Sequence, residues 1–108
     1  MKTGLTRARF EEVFSTGKRV QAKFCRLMAL PGEGRVGFAV SRKVGSIARR
    51  NRVRRRLAAA VRECAEPPDR ELDIVVGARP EAADADFIEI VADLKQALTK
   101  MRERWESE

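Results

Sequence analysis

Hydrophobic positions recur along this chain with two periods, and each change of period marks a new element. Phe10, Val13 and Phe14 share one helical face. Thr6 stands where an N-cap belongs, Leu5 and Phe10 occupy the two positions of a hydrophobic staple, and Gly17 sits where a glycine ends a helix. The residues up to Gly4 are expected to be loose. Val20 to Leu30 reads as one or two strands, with a break at Gln21 or Ala22. In that register Phe24 and Met28 fall on one side, and Lys23, Cys25 and Leu27 on the other. Pro31-Gly32-Glu33-Gly34 reads as a hairpin connection, which makes this strand antiparallel to the one beginning at Arg35.

Val36, Phe38 and Val40 then alternate with Gly37, Ala39 and Ser41. One face of this strand is bulky and the other nearly bare, so something can approach the sheet closely there. A helix of the same chain is the plainest candidate. Gly45 permits a turn and Ser46 caps the helix that follows. In that helix Val53, Leu57, Ala60, Val61 and Cys64 fall on one face. Glu66-Pro67-Pro68-Asp69 stops it. Leu72, Ile74, Val76 and Ala78 alternate with Asp73, Val75, Gly77 and Arg79, and both faces are mostly apolar, as in an interior strand. Asp84 or Asp86 begins a last helix, with Asp86 and Glu89 spaced as a capping box. Phe87, Ile90, Val91, Leu94, Leu98, Met101 and Trp105 form its core-facing stripe. The order is α-β-β-β-α-β-α if the first strand splits, and one strand fewer otherwise.

Charge changes this picture more than length does. The 108 residues suit one domain, 1–108. The formal charge is +7, but through Arg62 there are 17 Lys and Arg against 3 acids, and beyond it 6 against 13. The first part is a strong cation and the rest an anion, an asymmetry that points to nucleic acid. No acid falls between Gly34 and Arg62, so no i,i+4 ion pair relieves the repulsion within the arginine-rich helix. Arg49 and Arg50 even stand near its N-terminus, where the helix dipole disfavours cations. An ordinary solvated basic face carries interspersed acids. Arg49, Arg52 and Arg56 flank the apolar face on one side, Arg50 and Arg54 on the other, and Arg55 and Arg62 point away. Lys18, Arg19, Lys23 and Arg26 extend the positive field around the first strand. The small apolar residues opposite the arginines argue against a membrane-surface helix.

Chemistry is conspicuous by what is missing. The chain has no histidine and no tyrosine. The acids of the basic half are Glu11, Glu12 and Glu33, and they form no catalytic pair. Converging carboxylates for a two-metal nuclease and a triphosphate-binding glycine loop are both lacking. No catalytic residue and no protein-held metal is expected. Cys25 and Cys64 form no metal motif and read as reduced, partly buried thiols. No secretory leader or membrane-length apolar run is recognised, so a cytoplasmic location is expected.

Arg35-Val36-Gly37-Phe38-Ala39-Val40-Ser41-Arg42-Lys43-Val44-Gly45, followed by Arg50-Asn51-Arg52, resembles the protein subunit of bacterial ribonuclease P. That family reads roughly R-x-G-x-x-V-S-[KR]-K-x-G, a short spacer, then R-N-R-x-[KR]-R. The likeness extends to Phe10-Glu11-Glu12-Val13-Phe14 with Gly17 before it, and to Asp73 through Arg79 after it. The resemblance implies an α+β fold, a two-layer α/β sandwich with a four-stranded mixed sheet. Its β-α-β crossover, carrying the arginine helix, would be left-handed, against the general right-handed rule.

The resemblance also implies a catalytic RNA partner that uses magnesium ions, held mainly by that RNA, to remove the 5′ leader of precursor tRNA. The polypeptide would assist without cutting. Arg42, Lys43, Arg49, Arg50, Asn51, Arg52, Arg54, Arg55 and Arg56 would bind the RNA subunit, with Asn51 ordering the helix start or reading an RNA edge. Phe10, Phe14, Lys23 and Phe24 would hold the leader, although core packing is the plainer reading of the aromatics. DNA and membranes are not expected partners. Thr6 and Ala58 stand where the family commonly has basic residues, Ile47-Ala48 replaces a more usual Ala-Val pair, and the C-terminal tail is acidic. Two other readings compete: a general structured-RNA-binding or ribosome-associated protein, and an autonomous metal-dependent nuclease.

Overall fold

The computed structural model describes residues 2–64 and 72–107. Eight elements follow in order: β1 (Lys2–Thr3), α1 (Arg7–Thr16), β2 (Lys18–Gln21), β3 (Cys25–Pro31), β4 (Arg35–Ala39), α2 (Ile47–Glu63), β5 (Leu72–Ala78) and α3 (Phe87–Glu106). Short 3-10 turns at Arg42–Val44 and Pro80–Ala83 precede α2 and α3. The first strand does split: Ala22 N–H donates to the Cys25 carbonyl at 2.9 Å and turns β2 back onto β3. The proline pair at 67 and 68, expected to stop α2, lies outside the described residues.

The mixed sheet runs β1-β4-β5-β3-β2. β2 and β5 are antiparallel to β3, while β4 is parallel to β5. The four expected strands are joined by a fifth, because Lys2–Thr3 pairs in parallel with Arg35 and Val36. The start of the chain is therefore tied to the sheet edge instead of loose.

The connection Pro31–Gly34 is not a hairpin. β5, apolar on both faces, gains most from the central position and lies between β3 and β4. The connection instead spans the start of β5 and is pinned by Asp73. That carboxylate accepts from the Glu33 amide at 3.0 Å, the Arg35 amide at 3.1 Å and Arg9 Nε at 2.7 Å. Burial alone would raise the Asp73 carboxyl, but the Arg9 hydrogen bond and the Arg35 and Glu33 amides outweigh it and hold it below the ordinary range.

Alternation in the strands sorts side chains to two faces. Leu27, Ala29, Ile74 and Val76 pack beneath α2 and α3, against Leu57, Ile90, Leu94 and Met101. This is the expected two-layer sandwich. Met28 and Val75 point the other way and meet Val13 of α1. α1 thus covers part of the opposite sheet face. The turn at Ala22–Phe24 shifts the phase of the strand. Phe24 consequently joins the main core with Cys25 and Leu27, not the Met28 side as the simple alternation predicts.

At the helix ends, Thr6 and Ser46 accept from the Arg9 and Arg49 amides, each at 3.2 Å, as their sequences predict. Asp86 occupies the N-cap of α3 without a side-chain capping bond, so the capping box does not form. Of the α3 stripe, Phe87 is left 36% exposed and the buried Ala97 takes a place in the core.

Candidate nucleic-acid interface

The arginine helix is set by its own start. Gly45 adopts φ +137°, and a Cβ there would come within 2.6 Å of the Arg49 side chain. Glycine is what lets the chain leave the 3-10 turn, be capped by Ser46 and enter α2. Val53, Leu57, Ala60 and Val61 are buried, which fixes which side of α2 faces out.

The outward side carries cations with few internal partners. Arg42, Lys43, Arg52, Arg54 and Arg55 are exposed and have no carboxylate partner among the described residues. Asn51 accepts from Arg54 at 2.8 Å, so it orders a neighbouring guanidinium at the helix surface. Arg50 is half-buried, and its Nε has no hydrogen-bond partner among the described residues. Arg49 and Arg56 behave differently. Arg49 donates to the Val44 carbonyl at 3.0 Å and pairs with Asp84 at 2.8 Å. Arg56 donates to the Ala82 and Ala85 carbonyls at 3.3 and 2.6 Å. These two tie α2 to the turn before α3. Arg56 is committed to internal carbonyls and offers less to an outside anion than its neighbours do.

A hollow of about 140 Å³ lies on the sheet face beside α1. Phe14 and Arg19 border it on one side, Ala39 and Ser41 on another, and Arg26, Met28 and Gly77 line it as well. Its floor exists because β4 is bare where α1 docks. At Gly37 a Cβ would come within 2.8 Å of the Phe10 ring and 3.1 Å of Leu5. Phe10 is half-buried over that glycine, while Phe14 is 43% exposed with its ring stacked 6.2 Å from that of Phe10. The two readings of the aromatics divide between the residues: Phe10 packs and Phe14 is presented.

The structure does not bring Lys23 and Phe24 into this hollow. Phe24 is 7% exposed in the core on the other sheet face. Lys23 lies 5.1 Å over the Phe24 ring, and both amides are held by Asp93 of α3, at 3.1 and 2.8 Å. Of the two cations that do line the hollow, Arg26 was legible as standing two residues before Met28, while Arg19 comes there as the cross-strand partner of Met28, a pairing only the structure shows.

Among the described residues no three His, Cys, Asp or Glu side chains come together where a metal ion could be held. Nor is any described helix long and apolar enough to cross a membrane. Burial, with Asp93 nearby, pushes the Cys25 thiol up to about 12, well away from a reactive thiolate.

A face of unpaired guanidiniums beside a small aromatic-edged hollow suits a polyanion with both folded and unpaired parts. The family model described as Ribonuclease P matches residues 5–102. The chain is 38% identical to the ribonuclease P protein component of Gluconacetobacter diazotrophicus, over 87% of this chain and 85% of that one. It is 39% identical to the component from Thermus thermophilus over 78% of this chain, and spans half of that relative's length. The solved ribonuclease P protein of Thermotoga maritima shares the fold, with a TM-score of 0.74 at 24% identity, over 95% of this chain and 97% of that one.

Proposed function

Because the chain belongs to the ribonuclease P protein family, we propose that it binds a catalytic RNA subunit and the 5′ leader of precursor tRNA, and assists removal of that leader. The observation that carries this is the outward side of α2, where Arg52, Arg54 and Arg55 stand exposed without carboxylate partners among the described residues. Such a face gains affinity by displacing counterions from RNA phosphates. Arg42 and Lys43, on the turn between the bare strand and α2, extend it toward the hollow.

In this reading the hollow receives an unpaired leader nucleotide. Phe14 offers its ring for stacking, and Arg19 and Arg26 lie close to where the flanking phosphates would run. The product lacks the leader, so these contacts raise affinity for precursor over mature tRNA. They act on binding and positioning, and the bond itself is cut by the RNA. In this reading magnesium is held mainly by the RNA, where it would supply the metal chemistry of the cut. Cationic α2 also screens the RNA's self-repulsion, which favours its folded form at lower salt. The cytoplasm, where tRNA precursors are processed in bacteria, is the corresponding location.

Reconstitution tests the proposal. A 5′-extended tRNA is incubated at low magnesium with the protein, with the catalytic RNA, and with both. The expected result is no cleavage by protein alone and strong stimulation when both are present. Cleavage by protein alone, or no stimulation of the RNA, would overturn it.

A further inference from the structure

A second cationic hollow, of about 580 Å³, lies where the C-terminal half of α3 crosses the edge strand β2. It is lined by Arg19, Gln21, Lys100 and Arg104, with Glu103 as the one acid among its lining residues. A further hollow continues along α3 through Lys95, Gln96 and Thr99, sharing Lys100 and Glu103. Lys95 to Ser107 spans about 18 Å of helix at 1.5 Å per residue.

Arg19 borders both this groove and the hollow beside Phe14. Its guanidinium reaches the Phe14 carbonyl at 3.3 Å, on the α1 side. Its own carbonyl accepts from Arg104, on the α3 side. The two depressions therefore meet at one exposed arginine on the sheet edge. Ser41, which leads into Arg42 and Lys43 of the turn before α2, lines the first hollow as well. The side-chain amines of Lys95 and Lys100 have no ion pair or hydrogen bond among the described residues; Lys95 takes part only through its carbonyl, which accepts from Thr99 at 3.0 Å.

We propose that an RNA strand leaving the hollow at Phe14 continues past Arg19 over the β2 edge and along α3, with Lys100 and Lys95 on its phosphates. The inference rests on the proposed function, in which that hollow holds the leader. The strand's chemistry follows from the lining. Amines, guanidiniums and amide side chains suit phosphodiesters, and the one apolar side chain in the lining, Val20, is buried and offers a protein partner no anchor. Since α2 grips the catalytic RNA near the Ser41 end, the strand at the Arg19 end is the part of the leader distant from the cleavage site. Contacts here add affinity only for leaders long enough to reach α3.

The test measures binding of the reconstituted RNA–protein complex to precursors whose leaders are lengthened one nucleotide at a time. Wild type should show a second rise in affinity once the leader passes the first hollow. Lys100→Gln and Lys95→Gln together should reduce that second rise about two- to fivefold per charge, and lower its salt slope by about 0.7 per charge. Glu103→Gln should enlarge it. Affinity for the short-leader precursor serves as the internal reference, and thermal melts verify that the variants fold. The proposal is overturned if affinity stops rising at the first hollow, or if the rise survives the double substitution. A complex that does not distinguish short-leader precursor from mature tRNA would instead defeat the leader-binding reading, and this proposal with it.

Discussion

Replacing arginines of α2 tests which of them would face RNA under the proposed function and which hold the fold. Five cations, Arg42, Lys43, Arg52, Arg54 and Arg55, are exposed without a carboxylate partner among the described residues. If each neutralises one phosphate, the slope of log K against log salt is about −4.5, at ~0.9 per contact. A fourfold rise in salt then weakens binding about 500-fold. Replacing Arg52 and Arg55 by Ala lowers the slope to about −2.7, so the same rise costs about 40-fold. Arg56→Ala has a different signature. Its guanidinium donates to Ala82 and Ala85, so its loss should cost about 1.5 kcal/mol of folding stability while the slope stays near the wild-type value. Filter binding of the catalytic RNA across a salt series, with thermal melts of the same variants, reads both quantities. An unchanged slope in the double variant, or a drop in Arg56→Ala matching that of Arg52→Ala, would refute the assignment.

Other expectations concern the scaffold. Asp73 titrates below the ordinary carboxylate range when folded, so its stabilisation is complete above about pH 4 and is lost as pH falls through the folded value. Acid unfolding of Asp73→Asn should be shallower over that window than wild type, and parallel curves would remove this carboxylate from the account. Gly37→Ala places a methyl against Phe10 and should cost about 1–3 kcal/mol by urea titration and weaken leader binding through α1; full stability would contradict the close docking. Sulfate, compared with chloride at equal ionic strength, should raise the Tm of wild type by more than that of an Arg52, Arg54 and Arg55 triple alanine variant. Equal shifts would indicate only a general salt effect.

Much of this was legible locally. The apolar face of α2, its Ser46 cap and the two-sided burial of β5 follow from spacing alone, and each stands in the structure. What failed depends on neighbours distant in the chain. Nothing in Pro31–Gly34 announces that a strand forty residues later will part β3 from β4, because the pinning group, Asp73, belongs to that strand. Phe24 was misplaced because a turn between β2 and β3 shifts the alternation on which its side was judged. The hollow beside Phe14 joins α1, β2, β3, β4 and β5, so only part of its lining shows a sequence pattern. The groove on α3 is harder still: Lys95, Lys100 and Arg104 read as an ordinary solvated helix face until β2 is seen beside them.

Site-directed crosslinking in the assembled complex reads which RNA lies against α2 and which against α1. Burial keeps Cys25 and Cys64 from competing for a thiol-directed photoprobe, so Arg55→Cys and Phe14→Cys can each carry one. The probe at position 55 should label the catalytic RNA, and the probe at position 14 the precursor leader. Labelling of the RNA subunit from both positions, or of neither RNA from position 55, would contradict this assignment.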